Sequence, residues 1–137
     1  MRVFRVGDKV EVCSTEEGFV GSYYEATIVS ILKDGSYKVR YKNLVEEEDD
    51  SKLLVEKASA DEVRPMPPRI QGKGTRFYSY LDKVDAFDND GWWVGIVTGI
   101  DGFKYSVYFE SSRDEIAYPV SRLRRHLEWS SDGWVFT

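Results

Sequence analysis

The feature that most constrains this chain is that it repeats itself once. The segment Asp8-Lys9-Val10-Glu11-Val12 returns as Asp82-Lys83-Val84-Asp85-Ala86. Gly21-Ser22-Tyr23-Tyr24-Glu25-Ala26-Thr27-Ile28-Val29 is echoed by Asp90-Gly91-Trp92-Trp93-Val94-Gly95-Ile96-Val97. Tyr37-Lys38-Val39-Arg40-Tyr41 is echoed by Tyr105-Ser106-Val107-Tyr108-Phe109, and Asp61-Glu62-Val63-Arg64-Pro65 by Ser121-Arg122-Leu123-Arg124-Arg125. Matched blocks in one order define two copies of a single structural unit. Units of roughly 60 residues bury a marginal core, so the copies are expected to pack against each other.

Within each copy the blocks read as short strands. Lys9–Cys13 and Tyr37–Tyr41 alternate polar and apolar residues, the period-two signature of a half-buried strand. Asp34-Gly35 separates two such runs and tolerates the positive φ that a tight hairpin needs, and Asp101-Gly102 holds the same place in the second copy. Helical periodicity is weak, with room for one turn of helix at Ala58–Glu62 and at the equivalent Val120–Leu123. The fold class expected is all-β: two tandem small, strongly bent antiparallel barrels. Arg64-Pro65-Met66-Pro67-Pro68-Arg69 holds three of the four prolines. Proline fixes φ and lacks an amide donor, so the stretch should leave the sheet as a stiff connector. The organisation predicted is a first barrel at 1–68, a connector at 69–75 and a second barrel at 76–137.

Little in the chain points to catalysis. It has a single cysteine, Cys13, read as a small packed residue, and a single histidine, His126. These exclude an internal disulfide and a zinc constellation. His126 is expected to face solvent at the end of the last barrel strand. The serines of Ser14-Thr15 and Ser111-Ser112 have no histidine partner, and Gly18, Gly21 and Gly35 are spaced as turn residues, not as a phosphate loop. The chain is therefore read as not an enzyme, with no metal and no cofactor. No apolar run approaches the roughly 20 residues that span a bilayer. Nor does the start resemble a signal peptide. An intracellular, monomeric module of a longer protein is expected.

The aromatic residues carry the strongest functional signal. Nine Tyr, seven Phe and four Trp are more rings than two small cores need. Phe19, Tyr23, Tyr24 and Tyr41 cluster around the second and third strands of the first copy. Phe87, Trp92, Trp93 and Phe109 take matching places in the second. Adjacent strand residues point to opposite faces, so one of Tyr23 and Tyr24, and one of Trp92 and Trp93, should look outward. Rings gathered on a rim can box a methylammonium, each cation–π contact contributing about 0.5–2 kcal/mol. Equally, such rings can serve as small cores. The run Glu46-Glu47-Glu48-Asp49-Asp50 is either a solvated loop or an acidic rim for a basic peptide, and Asp85, Asp88 and Asp90 could play that part in the second copy. The net charge of −5 suits a basic partner and makes nucleic acid an unfavoured one, although solubility alone would also account for it.

Phe4-x-x-Gly7-x-x-Val10-Glu11-Val12, then Gly18-Phe19-x-Gly21-x-Tyr23-Tyr24-x-Ala26, then Val39-x-Tyr41-x-x-Leu44, closed by Val63-Arg64-Pro65-x-Pro67-Pro68, resembles the tandem Agenet domains of plants, a Tudor-like group. The resemblance runs over about residues 3–130. In the second copy the terminal Arg-Pro element is replaced by Arg124-Arg125-His126. It implies a pair of barrels that bind histone tails in the nucleus, at chromatin. By the same resemblance, methyl-lysine sits in a cage of Phe19, Tyr23, Tyr24 and Tyr41. Histone three methylated at its ninth lysine, the mark of silenced heterochromatin, is the first target it suggests. A second cage of Phe87, Trp92, Trp93 and Phe109 would have Arg113 nearby to repel a cation. The alternative reading is an RNA-binding or protein-scaffolding module that uses Arg122, Arg124 and Arg125 with exposed rings.

Overall fold

The computed structural model describes residues 4–68 and 78–136. The connector expected at 69–75 therefore lies outside the described residues. The chain divides into two compact units, Met1–Met66 and Pro67–Thr137. Both are antiparallel β-structure, with no α-helix among the described residues.

Unit 1 contains β1 (Lys9–Cys13), β2 (Ser22–Ile31), β3 (Tyr37–Val45), β4 (Leu53–Ala58) and β5 (Val63–Pro65). They pair in the order β5-β1-β2-β3-β4. The alternation seen in the sequence sends Val10, Val12, Tyr24, Ala26, Ile28, Val39 and Tyr41 to one face, all buried. The Asp34-Gly35 turn forms as expected. Gly35 adopts φ +86, and Asp34 accepts a hydrogen bond from the Ser36 amide at 3.0 Å. A register shift between Ile28 and Ser30 bends β2 over the core.

Two expectations are corrected here. The sheet is not a closed barrel, for among the described residues no ladder joins β4 to β5. A 3-10 turn at Ala60–Glu62 separates them, and β5 is only three residues long, ending in a proline without an amide donor. Arg64 and Pro65 were expected to leave the sheet. Instead they pair with β1, Pro65 opposite Val10, because proline is tolerated at the end of an edge strand.

Unit 2 repeats the plan with β6 (Lys83–Asp88), β7 (Gly91–Asp101), β8 (Lys104–Phe109), β9 (Asp114–Pro119) and β10 (Leu123–Arg125). Their order is β10-β6-β7-β8-β9. A 3-10 turn at Val120–Arg122 occupies the place of the one at Ala60–Glu62. Val84, Ala86, Val97, Tyr105, Val107, Phe109, Tyr118 and Leu123 form the core. A further hairpin, β11 (Leu127–Ser130) with β12 (Gly133–Phe136), has no counterpart among the described residues of unit 1 and pairs Trp129 with Trp134.

The internal repeat extends to individual hydrogen bonds. In unit 1 the Gly7 amide donates to Ile28 at 2.8 Å, the Ile28 amide to Asp8 at 2.9 Å, and the Asp8 carboxylate accepts from the Arg5 amide at 2.9 Å. In unit 2 Leu81 donates to Val97 at 2.7 Å, Val97 to Asp82 at 2.9 Å, and Asp82 accepts from Ser79 at 2.8 Å. Gly7 sits at φ +95, a region glycine enters without steric cost. Leu81 is forced into the same region, at φ +72.

Candidate functional site

Three of the four cage residues expected in the first copy come together. Phe19 and Tyr24 meet edge to face at 6.3 Å between centroids, and Tyr24 meets Tyr41 at 6.4 Å with planes at 88°. Tyr24 and Tyr41 are adjacent because Ala26 pairs with Tyr41, which puts the two rings side by side on the core face. Phe19 arrives from the β1–β2 loop, where Gly18 and Gly21 adopt φ +88 and +85. Ser22 holds that loop: its amide donates to the Phe19 carbonyl at 3.1 Å and its hydroxyl at 2.5 Å.

Tyr23 goes to the other face, as alternation requires, but not to solvent. The Arg64 guanidinium lies 3.5 Å from its ring centroid and donates to Glu11 Oε1 at 2.8 Å. Tyr23 and Tyr24 are both buried, so the expectation that one of them faces water is corrected: an ion pair covers the outer ring. Tyr24 and Tyr41 retain only 7% and 8% of their exposure, and the solvent-facing member is Phe19, at 43%. Edge-to-face packing of three rings closes the site around their own faces.

The electrostatics of this cluster are acidic. Burial pushes the Tyr41 hydroxyl up to about 12, aided by the charges of Glu56 and Glu62, a hydrogen bond with Glu56 and the charge of Glu16. Glu56 pairs with Val39, which places it on the core side of the edge strand, one ladder step from Tyr41. Sequence reasoning missed Glu16, Glu56 and Glu62. The signal for Glu56 was a lone carboxylate at a core-facing position of β4, legible only once the β3–β4 register is known.

The run proposed from sequence as the acidic rim instead forms the β3–β4 loop. The Glu46 amide donates to Lys52 at 2.9 Å, and Asp49 accepts from the Ser51 amide at 3.1 Å, so Asp49 shapes the turn. Glu47 and Glu48 are exposed.

In the second copy the expected cage residues divide between two faces. Phe87 and Trp92 are cross-strand partners with centroids 5.1 Å apart, and Arg124 lies 4.2 Å over Trp92. Trp93 and Phe109 pack instead into the core, where Tyr118 meets Phe109 at 6.0 Å. Tyr118 donates to Asp88 at 2.7 Å, and the Trp93 indole donates to the Asp88 carbonyl at 2.9 Å. Burial and the Asp88 hydrogen bond raise the Tyr118 hydroxyl far above its ordinary value. Tyr118 therefore fills the position that Ala58 holds in unit 1. Neither Trp92 nor Trp93 is freely exposed, against expectation, because Arg124 covers one and the core the other.

Asp85 and His126 are also corrected. Asp85 is 1% exposed and bonded to Arg124 Nε at 2.8 Å and His126 Nδ1 at 2.6 Å, so it is not offered to a peptide. His126 was expected to face solvent but is 1% exposed, with Nε2 2.7 Å from Glu128. Burial alone would lower its pKa, but the hydrogen bonds and charges of Asp85 and Glu128 prevail and raise it. Of the second copy's acids, Asp90 remains exposed, in a turn at φ +65.

Among the described residues there is no group of three or more His, Cys, Asp or Glu able to hold a metal, and no helix long and apolar enough to cross a membrane. An all-β chain built from two like units, the first presenting a ring cluster beside carboxylates, has the Tudor-like plan. Comparison with known proteins gives this plan a name. Residues 7–68 match the Agenet domain family. The crystal structure of Arabidopsis thaliana AGDP1 AGD34 is 33% identical, with a TM-score of 0.89 over 98% of this chain and 90% of that one. The crystal structure of ADCP1 tandem Agenet domain 3-4 is 29% identical, with a TM-score of 0.86 over 98% and 89%. Protein AGENET DOMAIN (AGD)-CONTAINING P1 of Arabidopsis thaliana is 36% identical across 93% of this chain, and DUF724 domain-containing protein 6 of the same plant is 35% identical across 96%. The chain belongs to the Agenet family. It spans 26% and 19% of the lengths of those two relatives.

Proposed function

We propose that the chain is a non-catalytic chromatin reader that holds a methylated lysine of a histone tail in unit 1. The observation that carries this reading is the Phe19–Tyr24–Tyr41 cluster with its Tyr41 hydroxyl among the carboxylates of Glu56, Glu62 and Glu16. The exposed Phe19 ring, backed by Tyr24 and Tyr41, offers a face that attracts a methylammonium, and methylation weakens the hydration that competes with it. Anionic neighbours add attraction for the cation and for other basic groups of the tail. Phe19 is the accessible wall of the cluster: it is 43% exposed, and Ser22 holds its backbone.

On this reading residues 1–68 are the reading unit and 76–137 its tandem copy, in which Tyr118 occupies the corresponding space. The module would act as a monomer within a longer nuclear protein, with the ninth lysine of histone three as the first peptide to test. Affinity should be micromolar, since few contacts offset the ordering of a disordered tail. The scaffolding or RNA reading keeps, among the described residues, only Arg122 of its basic patch without a carboxylate partner. Arg124 is committed to Asp85, Arg125 lies 3.7 Å from Asp82, and Arg122 donates to the Phe87 carbonyl.

The test is titration of labelled histone peptides carrying zero to three methyl groups. Binding should depend on methylation, and Phe19→Ala should weaken it about tenfold with the fold intact. Methyl-independent binding, or no effect of Phe19→Ala, overturns the reading. Tyr24→Ala is a poorer probe, because removing so buried a ring costs about 3–5 kcal/mol of stability.

A further inference from the structure

The net charge of −5 conceals a segregation of charge between the two faces of unit 1. The core side carries the carboxylates around Tyr41. The outer side carries exposed cations, Lys9 on β1, Lys38, Arg40 and Lys42 on β3, and Lys57 on β4, together with two less exposed carboxylates, Glu11 paired with Arg64 and Glu25 with Lys42. Alternation dictates this, since Val10, Val39 and Tyr41 turn inward and their neighbours must turn out.

Register makes the cations contiguous. Lys9 pairs with Thr27 and Thr27 with Arg40, which forms one cross-strand row. Ser30 pairs with Lys38 and Lys38 with Lys57, which forms the next. Along β3 successive outward residues stand about 6.7 Å apart, two strand rises. Glu25 offsets Lys42 at 3.5 Å and Asp34 offsets Lys57 at 3.0 Å. Among the described residues Lys9, Lys38 and Arg40 belong to no ion pair.

We propose that this outer face docks on the phosphate backbone of duplex DNA. Charge complementarity calls for a polyanion. The hydroxyls of Thr27 and Ser30 between the cations add donors suited to phosphate oxygens. A single strand is a poorer fit. Such strands are gripped by exposed rings on which bases stack, and Tyr23, the ring directed outward from β2, is buried beneath Arg64. The inference rests on the charge pattern alone, independently of the methyl-lysine reading. It would let the unit lie on DNA with one face while the other faces a basic tail.

The experiment is anisotropy titration of the 137-residue chain with a labelled random-sequence duplex at 50 and 200 mM salt. Three or four neutralised phosphates give a logarithmic salt slope of about −3, so affinity should fall about a hundredfold over that range. The double charge reversal K38E/R40E should weaken binding at least tenfold, with an unchanged circular dichroism spectrum and unchanged histone-peptide binding. Phe19→Ala, which tests the methyl-lysine reading, should bind the duplex as the parent does. Absence of duplex binding at 50 mM salt, undiminished binding by K38E/R40E, or tighter binding of single-stranded RNA than of duplex would each overturn the proposal.

Discussion

The Arg64 guanidinium lies 3.5 Å from the Tyr23 ring centroid while its Nη2 donates to Glu11 at 2.8 Å, and both charged side chains are almost wholly buried. The second copy repeats the motif with Arg124, Trp92 and Asp85. Two positions in each copy that look like ordinary surface charge in the sequence thus form a cap over the outer aromatic residue. Removing one partner of a buried pair strands the other, at a cost of about 3–5 kcal/mol. Arg64→Ala should therefore lower the free energy of unfolding by that order, read as a shifted urea midpoint. Arg124, at 21% exposure, should cost less on replacement by Ala.

The pKa of His126 is raised in the folded state. The sign follows: protonation stabilises the fold, the contribution is complete below the unfolded value of about 6.5, and it is lost as pH rises through the folded value. The groups facing the imidazole are Asp85 and Glu128, with Arg124 sharing Asp85. Urea unfolding at a series of pH values should show stability falling above about pH 6.5 in the parent, and a flatter profile in His126→Gln. An unchanged slope in that variant would remove His126 as the cause.

Leu81 occupies at φ +72 the position that glycine holds in unit 1, and its side chain is 61% exposed. The left-handed region costs a non-glycine residue about 1–2 kcal/mol, and little packing would be lost on truncation. Leu81→Gly should raise the melting temperature, with a stabilisation of about 1 kcal/mol measured by calorimetry.

Gly95 stands where unit 1 has Ala26, yet a methyl group there would overlap Val107 Cγ1 and lie 3.0 Å from the Tyr108 carbonyl oxygen. Overpacking of this kind costs about 1–3 kcal/mol. Gly95→Ala should thus destabilise unit 2 although alanine is the ordinary improvement on a strand glycine, and chemical denaturation would show it.

The strands, the turn at Asp34-Gly35 and the repeat were legible in the sequence because they depend on local chemistry: alternation, positive φ and matched blocks. In the second copy the turn falls one place on, at Gly102-Phe103, because Asp101 pairs with Lys104. Ring closure was not, because it depends on whether β4 and β5 meet across a 3-10 turn. The rings read as more than two cores need, yet most of the named ones are packed in the cores or covered by arginines, because which of them share a face depends on pairing. Tyr23 and Tyr24 separate by alternation alone, whereas the burial of Tyr23 needs Arg64 to return to a partner, Glu11, at a sequence separation of 53. Local context likewise misplaced His126. Its neighbours Arg125 and Leu127 say nothing of Asp85, 41 residues earlier, which draws it inside. The acidic run drew notice by its length, while single glutamates on β4 and in loops, set by register, surround Tyr41.

The β11–β12 hairpin sets the indoles of Trp129 and Trp134 5.0 Å apart and tilted by 57°. Two chromophores held so closely and obliquely share their excitation, which splits the absorption band into a circular dichroism couplet. The C-terminal ribbon therefore carries its own optical signature, by which its opening can be followed apart from the sheets that precede it.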